Sequence, residues 1–148
     1  MTDETPRTIE MSRLAKGRYV ATNARGGQLV LGQGDESFSP VELLLVAIAG
    51  CSAIDVDYIV SKRAEPTRLD LRMSGDKIRD DQGNRMTNLT LTFDVAFPDD
   101  EGGQAAYDVL PRAVQQSHDR LCTVSRTVEV GSPITTRIEG LELSLIHI

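Results

Sequence analysis

The chain has 148 residues, a formal net charge of −6 and an isoelectric point near 4.9. Its 40% hydrophobic and 26% charged residues are typical of a globular protein and exclude a disordered one. The acidic charge argues against a nucleic-acid partner, and the N-terminal segment MTDETPRTIE lacks the apolar run of a signal peptide. Two cysteines in a chain without such a signal indicate a reducing, cytoplasmic location.

The longest uncharged run, residues 43–54, has 12 residues and is too short to span a bilayer, so we expect no membrane partner. No repeat or linker interrupts the sequence. We therefore expect one domain over residues 1–148, with residues 1–6 flexible. Residues 144–148, SLIHI, form an unassigned tail that continues the alternation of the preceding strand.

Short extended segments between turn signals predict an antiparallel meander over residues 7–32. A long helix follows. Ser39 suits the N-cap and Pro40 the first helical position, and Glu42, three residues after Ser39, completes a capping box. Pro66 marks the end of the helix, and Lys62 and Arg63 are placed where cations suit a helix C-terminus.

The first half of this helix, LLLVAIAGCSAI, is apolar on every side, which predicts a helix buried all round. Gly50 costs about 1 kcal/mol against alanine in a helix interior, so we expect a close neighbour there. At helical spacing, five residues lie on one face of this helix: Leu44, Ile48, Cys51, Asp55 and Tyr58.

Apolar and polar residues alternate at 68–73 and 89–97, and the turn segment DDQGN lies between the two stretches. This pattern predicts a long antiparallel hairpin with one apolar face. A second helix is predicted over residues 104–121, with Pro111 as a kink or a true first turn and Cys122 at its end. The segments RTVEV and ITTRIEGLELSL predict two further strands. This order of elements indicates an α+β domain with helices packed on antiparallel sheet.

Two motifs carry a family resemblance: SPVELLLVAIAGC at residues 39–51, and SHDRLCTVS at residues 117–125 followed by GSPI. Over residues 13–139 the chain resembles the osmotically induced protein C and organic hydroperoxide resistance (OsmC/Ohr) family, and GC followed by IDV is similar to its less characterised branch. The resemblance implies antiparallel sheets wrapped around two long central helices in an intertwined homodimer. It also implies reduction of organic hydroperoxides, an external dithiol of the lipoyl type as reductant, and no cofactor.

A peroxidatic cysteine must be a thiolate, yet a thiol with a pKa of about 8.5 is only about 3 per cent ionised at pH 7, and apolar burial raises the pKa further. Cys51 therefore needs a cation from elsewhere in the fold. The resemblance implies that Arg18 is this cation; Arg25, in the NARGG turn, fits less well. It further implies that Cys51 attacks the peroxide and that Cys122 resolves the product as an intramolecular disulfide.

One position departs from the family pattern. The carboxylate that directly follows the motif proline in the family's peroxidases is replaced here by Val41, and Glu42 is one residue later. Glu42 lies nine residues before Cys51 and so faces the opposite side of a regular helix. We therefore assign Glu42 first to the capping box and only second to the catalytic site.

From the residues alone, both cysteines also fit small buried core positions. Asp55 is expected to meet an arginine or a helix partner, since a carboxylate raises a nearby thiol's pKa. A second hypothesis is a non-catalytic dimer that binds a small apolar or thiol-bearing ligand. A third is a metal site of Cys51, Cys122 and His118, although His118 suits an exposed helix position better and no resident metal is expected.

Overall fold

The computed structural model describes residues 4–140 and the backbone of residues 145–147. In this part of the chain there are three antiparallel sheets and three α-helices, which confirms the α+β class. Contacts divide the chain into two compact units, Met1–Val46 and Ala47–Ile148. The expectations for residues 1–3, 144 and 148 lie outside the described residues, and the single-domain organisation stays a prediction.

The first sheet is the predicted meander. Its strands β1 (Ile9–Ala15), β2 (Arg18–Asn23) and β3 (Gln28–Gly32) pair antiparallel in chain order. Gly17, with φ 75°, and Gly26, with φ 90°, occupy the left-handed region at the two turns. That backbone conformation favours glycine, which is why glycine marked both turns in the sequence.

Helix α1 spans Pro40–Val60 and begins with the predicted capping box. The Ser39 amide donates to Glu42 Oε1 at 2.9 Å, and the Glu42 amide donates to Ser39 Oγ at 3.1 Å. The helix ends at Val60, earlier than the stop predicted at Pro66, and Lys62 and Arg63 follow its C-terminus. Both lie in the turn that follows.

The burial of α1 follows one row, not the whole circumference. Its buried residues are spaced four apart: Ile48, Ser52, Val56 and Val60. In the described single chain Val46 and Ile54, which lie in the apolar first half of α1, are 50% and 58% exposed, so burial on every side stays a prediction that depends on the expected dimer. None of the described residues lies within 4 Å of a Cβ built on Gly50, so the close neighbour expected there is not among them.

By length and composition alone, the 21 residues of α1 would suffice to cross a bilayer. The uncharged run in the sequence is shorter, at 12 residues, because acidic residues at both of its ends interrupt the apolar stretch. The absence of a membrane partner stays a prediction.

The second unit is built on the hairpin of β4 (Arg68–Asp80) and β5 (Gly83–Ala96), which confirms the predicted hairpin. Side chains on one face of the hairpin are partly buried and those on the other are exposed. The core of this unit consists of Val56, Val60, Phe97, Ala106 and Ala113, with partly buried hairpin and helix residues packed against it.

Helix α2 spans Glu101–Gln116 and contains Pro111. Asp100 caps its start by accepting from the Gly103 amide at 2.7 Å. A π-helical turn, Ser117–Leu121, continues α2 and delivers Cys122 at its end, as predicted.

Helix α3 spans Thr123–Val130, so the prediction of a strand at RTVEV is wrong. The Cys122 side chain caps this helix by accepting from the Ser125 amide, an arrangement that the usual N-cap residues do not signal. The final sheet pairs β6 (Thr135–Arg137) with β7 (Leu145–His147), so a short hairpin stands where one continuous strand was predicted.

Candidate functional site

The two cysteines meet in the second unit. Both are free thiols; Cys51 is partly exposed and Cys122 is 0% exposed. The sulfurs of Cys51 and Cys122 and a carboxylate oxygen of Asp55 all lie within 4.8 Å of one another. We call these three residues the thiol cluster.

Local backbone structure brings the thiol cluster together. Cys51 and Asp55 are one turn apart on α1. The π-helical turn is closed by the Cys122 amide, which donates to the Ser117 carbonyl at 2.8 Å. Ser117, 1% exposed, donates its hydroxyl to Asp55 Oδ2 at 2.9 Å. The same turn therefore fixes the Asp55 carboxylate and sets Cys122 against Cys51.

Cys122 is surrounded by hydrogen-bond donors. Burial by itself raises the pKa of a thiol, but hydrogen bonds from the Ser125 side chain and backbone, from Ser52 and from Cys51 outweigh it and lower the pKa of Cys122. The Ser125 amide lies 3.4 Å from the Cys122 sulfur. The donors around Cys122 therefore favour its thiolate form.

Cys51 has the opposite balance. Burial raises the pKa of Cys51, the hydrogen bond and charge of Cys122 and the charge of Asp55 raise it further, and only the backbone of Val124 opposes them. No cationic side chain is among the groups that contribute most to the pKa of either thiol in the described chain. These surroundings of Cys51 therefore oppose its ionisation.

Arg18 opens β2 as predicted, and its Nη1 donates to the Gln33 carbonyl at 2.9 Å and to Ser37 Oγ at 3.2 Å. Arg18 belongs to the first unit and the thiol cluster to the second, so its action on Cys51 stays a prediction. Arg25 lies in the turn between β2 and β3. Glu42 uses its carboxylate in the capping box, as the sequence analysis assigned it first.

His118 does not join the thiol cluster. Its Nδ1 lies 2.8 Å from Asp119 Oδ1 and its Nε2 lies 2.9 Å from Glu129 Oε1. The hydrogen bond with Asp119 and the charge of Glu129 raise the pKa of His118. The third member of the cluster is instead Asp55, which bonds to the Ser117 hydroxyl on the π-helical turn and so meets the helix partner that was one of its two expected partners.

A cavity of about 540 Å³ adjoins the thiols. Ser52 and Ser125, which both hydrogen-bond to Cys122, are part of its wall, and neither cysteine lines it directly. Most of the wall is apolar and comes from α1, β4, β5, α2 and α3: Ile48, Met73, Leu89, Leu91, Phe93, Pro111, Val114 and Val128. The alternation in the sequence predicted an apolar face on the hairpin. No sequence signal indicated that a cavity would lie against that face.

The family model described as OsmC-like protein matches residues 32–137, which include both cysteines and all of α1. The chain belongs to the OsmC-like family. Protein YhfA of Escherichia coli K12 is 30% identical to this OsmC-like protein over 124 residues, which are 82% of the chain and 88% of YhfA.

Solved structures share the fold of this OsmC-like protein at lower identity. An OsmC-like protein of unknown function from Vibrio cholerae superposes with a TM-score of 0.72 at 13% identity, over 85% of this chain and 95% of that one. An organic hydroperoxide resistance protein OsmC from Legionella pneumophila superposes with a TM-score of 0.55 at 12% identity, over 86% and 91%. These likenesses establish the fold.

Proposed function

We propose that this protein is a homodimeric thiol peroxidase that reduces organic hydroperoxides to alcohols with electrons from a dithiol. The observation that carries the proposal is the pair of free sulfurs within 4.8 Å, one partly exposed and one fully buried. Membership of the OsmC-like family supports it, as does the name of the Legionella protein that shares the fold.

Access assigns the first step to Cys51, because the buried sulfur of Cys122 is shielded from substrate. The Cys51 thiolate attacks one peroxide oxygen and the O–O bond breaks. The alkoxide leaves and takes a proton to become an alcohol, and Cys51 becomes a sulfenic acid. The cavity beside Ser52 and Ser125 is of a size and polarity suited to the organic group of the peroxide.

The second step belongs to Cys122. As a thiolate it attacks the sulfenic sulfur of Cys51, a disulfide forms, and hydroxide leaves to become water. An external dithiol then attacks the accessible Cys51 sulfur, and Cys122 departs as the leaving group. A lowered pKa suits Cys122 to both roles, since it raises the thiolate fraction and makes the sulfur a faster leaving group.

Cys51 must lose its proton before it can attack, and its surroundings oppose this. We assign the compensating charge to Arg18, the cation that the family resemblance implies. Arg18→Gln keeps a donor for the Gln33 carbonyl but removes the charge. We expect it to slow peroxide consumption at least about tenfold, with Arg25→Gln as the matched control. Equal rates for both variants would remove Arg18 from the mechanism.

The exposed apolar side of α1 supports the homodimer. Val46, Ile54 and Tyr58 leave large apolar side chains uncovered, and Gly50 leaves room for a closely approaching helix. Sedimentation should give about twice the chain mass of 16.2 kDa, and Ile54→Lys should reduce it to that of one chain. A wild-type protein that sediments as a monomer at micromolar concentration would overturn the dimer.

The function is tested by consumption of cumene hydroperoxide with dihydrolipoamide as reductant. Wild type should turn over, Cys51→Ser should lose activity by at least about 100-fold, and Ser61→Ala should match wild type because its hydroxyl bonds to Asp57, outside the thiol cluster. Full activity in Cys51→Ser would sink the proposal.

A second candidate, a non-catalytic dimer that binds an apolar ligand, is favoured by the apolar cavity together with the raised pKa of Cys51. It predicts that a small apolar ligand raises the melting temperature of wild type and Cys51→Ser equally, without any turnover of peroxide.

A further inference from the structure

The thiol cluster has the composition of a metal site as well as that of a redox pair. It combines two sulfurs, Cys51 Sγ and Cys122 Sγ, with a carboxylate oxygen of Asp55, all within 4.8 Å of one another. Two sulfurs bound to one tetrahedral zinc ion at about 2.3 Å lie about 3.8 Å apart, so donors at the 4.8 Å limit would move together by about 1 Å to reach bonding distance.

The charges of the cluster point to the same ligand. Three groups that are anionic when deprotonated are crowded into a partly or fully buried site. The contacts described for Asp55 supply a serine hydroxyl and no cationic side chain. A bound cation would replace mutual repulsion among these groups with attraction.

The neighbours of the cluster hold the donors in place. Ser117 donates to Asp55 Oδ2 at 2.9 Å, and the Ser125 amide donates to the Cys122 sulfur at 3.4 Å. Such outer hydrogen bonds orient the ligands of metal sites.

We propose that the reduced protein binds one thiophilic divalent cation, of the Zn²⁺ class, through Cys51 Sγ, the Asp55 carboxylate and Cys122 Sγ. Two sulfur donors select a soft or borderline ion over Mg²⁺ or Ca²⁺, and three protein ligands leave a fourth tetrahedral position for water. The site differs from the Cys51, Cys122 and His118 combination suggested by sequence spacing, because His118 bonds to Asp119 and Glu129.

One corollary rests on the proposed peroxidase function. The disulfide between Cys51 and Cys122 would remove both sulfur ligands, so oxidation by hydroperoxide would release the ion. Conversely, a bound ion would occupy the sulfur that must attack the peroxide. Zinc would then protect the reduced pair and inhibit its turnover.

The test uses Co²⁺ as the spectroscopic probe and Zn²⁺ in competition with a chromophoric chelator, on the reduced full-length protein without peroxide. Wild type should bind one ion per chain and show a thiolate-to-cobalt charge-transfer band. Cys51→Ser and Cys122→Ser should each lose most of that band. Asp55→Asn should weaken Zn²⁺ binding by at least about tenfold. Asp57→Asn, two residues along the same helix, should bind as wild type does.

Wild-type protein that binds neither ion at micromolar concentration would overturn the site, and so would Asp55→Asn with unchanged affinity. If Asp55→Asn fails to fold, the cobalt band of wild type and its loss in Cys122→Ser decide the question. Because no peroxide is present, failure here leaves the peroxidase proposal standing. A protein that binds zinc but consumes no hydroperoxide would remove the function and keep the site.

Discussion

The two thiols lie within 4.8 Å of each other in opposite surroundings. Around Cys51, burial, Cys122 and Asp55 all raise the pKa, yet this sulfur is partly exposed. Around Cys122, burial is outweighed by hydrogen bonds from Ser125, Ser52 and Cys51, which lower the pKa of a sulfur that no solvent reaches. The fold thus separates access from ionisation: one sulfur can be reached, and the hydrogen bonds around its neighbour favour the thiolate.

The largest expected effects come from replacing each cysteine by serine, and the two variants should fail at different steps of the reaction. Cys51→Ser should consume no hydroperoxide, a loss of at least about 100-fold. Cys122→Ser should consume one equivalent and stop, because the sulfenic acid on Cys51 has no thiolate to resolve it. Mass spectrometry should find one added oxygen on Cys51 in that variant. Cys122→Ser that fails to oxidise Cys51 at all would contradict the division of roles.

Ser125→Ala removes the side-chain hydrogen bond that most lowers the pKa of Cys122. Disulfide closure at pH 7 should slow by about tenfold, since a buried hydrogen bond to a charged group contributes about 1.5–3 kcal/mol. A sulfenic-acid trap added with the peroxide should then capture more Cys51. Thr123→Ala, at an exposed position of the same helix, is the control. Equal trapping in both variants would mean that Ser125 does not stabilise the thiolate.

The pH dependence of alkylation should also differ between the thiols. Because its surroundings raise the pKa of Cys51 and the proposed charge of Arg18 opposes this, the alkylation profile of Cys51 should lie at higher pH in Arg18→Gln than in wild type. Cys122→Ser removes a charge and a hydrogen bond that raise the pKa of Cys51, so its profile should move to lower pH. Peptide mapping after iodoacetamide treatment measures both. A profile unmoved by Cys122→Ser would show that the sulfurs do not interact.

Asp55→Asn should raise the alkylation rate of Cys51 near neutral pH by about threefold, because it removes a negative charge beside the sulfur. The effect is smaller than those above because Asp55 contributes least among the causes that raise the pKa. Asp57→Asn should leave the rate unchanged. A slower reaction in Asp55→Asn would mean that Asp55 assists ionisation of Cys51 where we expect it to oppose it.

The smallest effect concerns His118, which links the π-helical turn to α3 through Glu129. Its pKa is raised in the fold, so its stabilisation is fully present below the unfolded value of about 6.5 and is lost as pH rises through the folded value. His118→Gln should lower the free energy of unfolding at pH 5.5 by at most about 1 kcal/mol, because the pair is exposed, and by less at pH 8.5. Urea unfolding at both pH values measures this. A larger loss at pH 8.5 would contradict the assigned sign.

Local signals accounted for most of the predicted fold. The capping box of Ser39 and Glu42, the glycine turns and the alternation of the hairpin depend on residues close in sequence, and each was found where expected. The segment RTVEV was misassigned because its alternation fits a strand. This segment is part of a helix whose N-cap is Cys122, with the sulfur as the hydrogen-bond acceptor. Cysteine is not among the residues preferred at an N-cap, so the sequence did not indicate a helix start there.

The candidate site was predicted only in part. Motif resemblance led to both cysteines, but no spacing in the sequence relates Asp55 to Cys122. The proximity of Asp55 to Cys122 depends on the π-helical turn. In this turn the Cys122 amide bonds to the carbonyl of Ser117, which lies one residue further back than the acceptor in an α-helix. Ser52 and Ser125 were also missed as donors to Cys122, because a buried serine carries no sequence signal that separates a thiolate partner from a packing residue.

The most direct test of the account is one equivalent of cumene hydroperoxide added to the reduced wild-type protein without external thiol. Peptide mapping should find a Cys51–Cys122 disulfide, and chromatography should find one equivalent of the alcohol per chain. Peroxide that survives beside two reduced cysteines would contradict the account, as would a Cys51 oxidised to sulfinic acid with Cys122 still a free thiol.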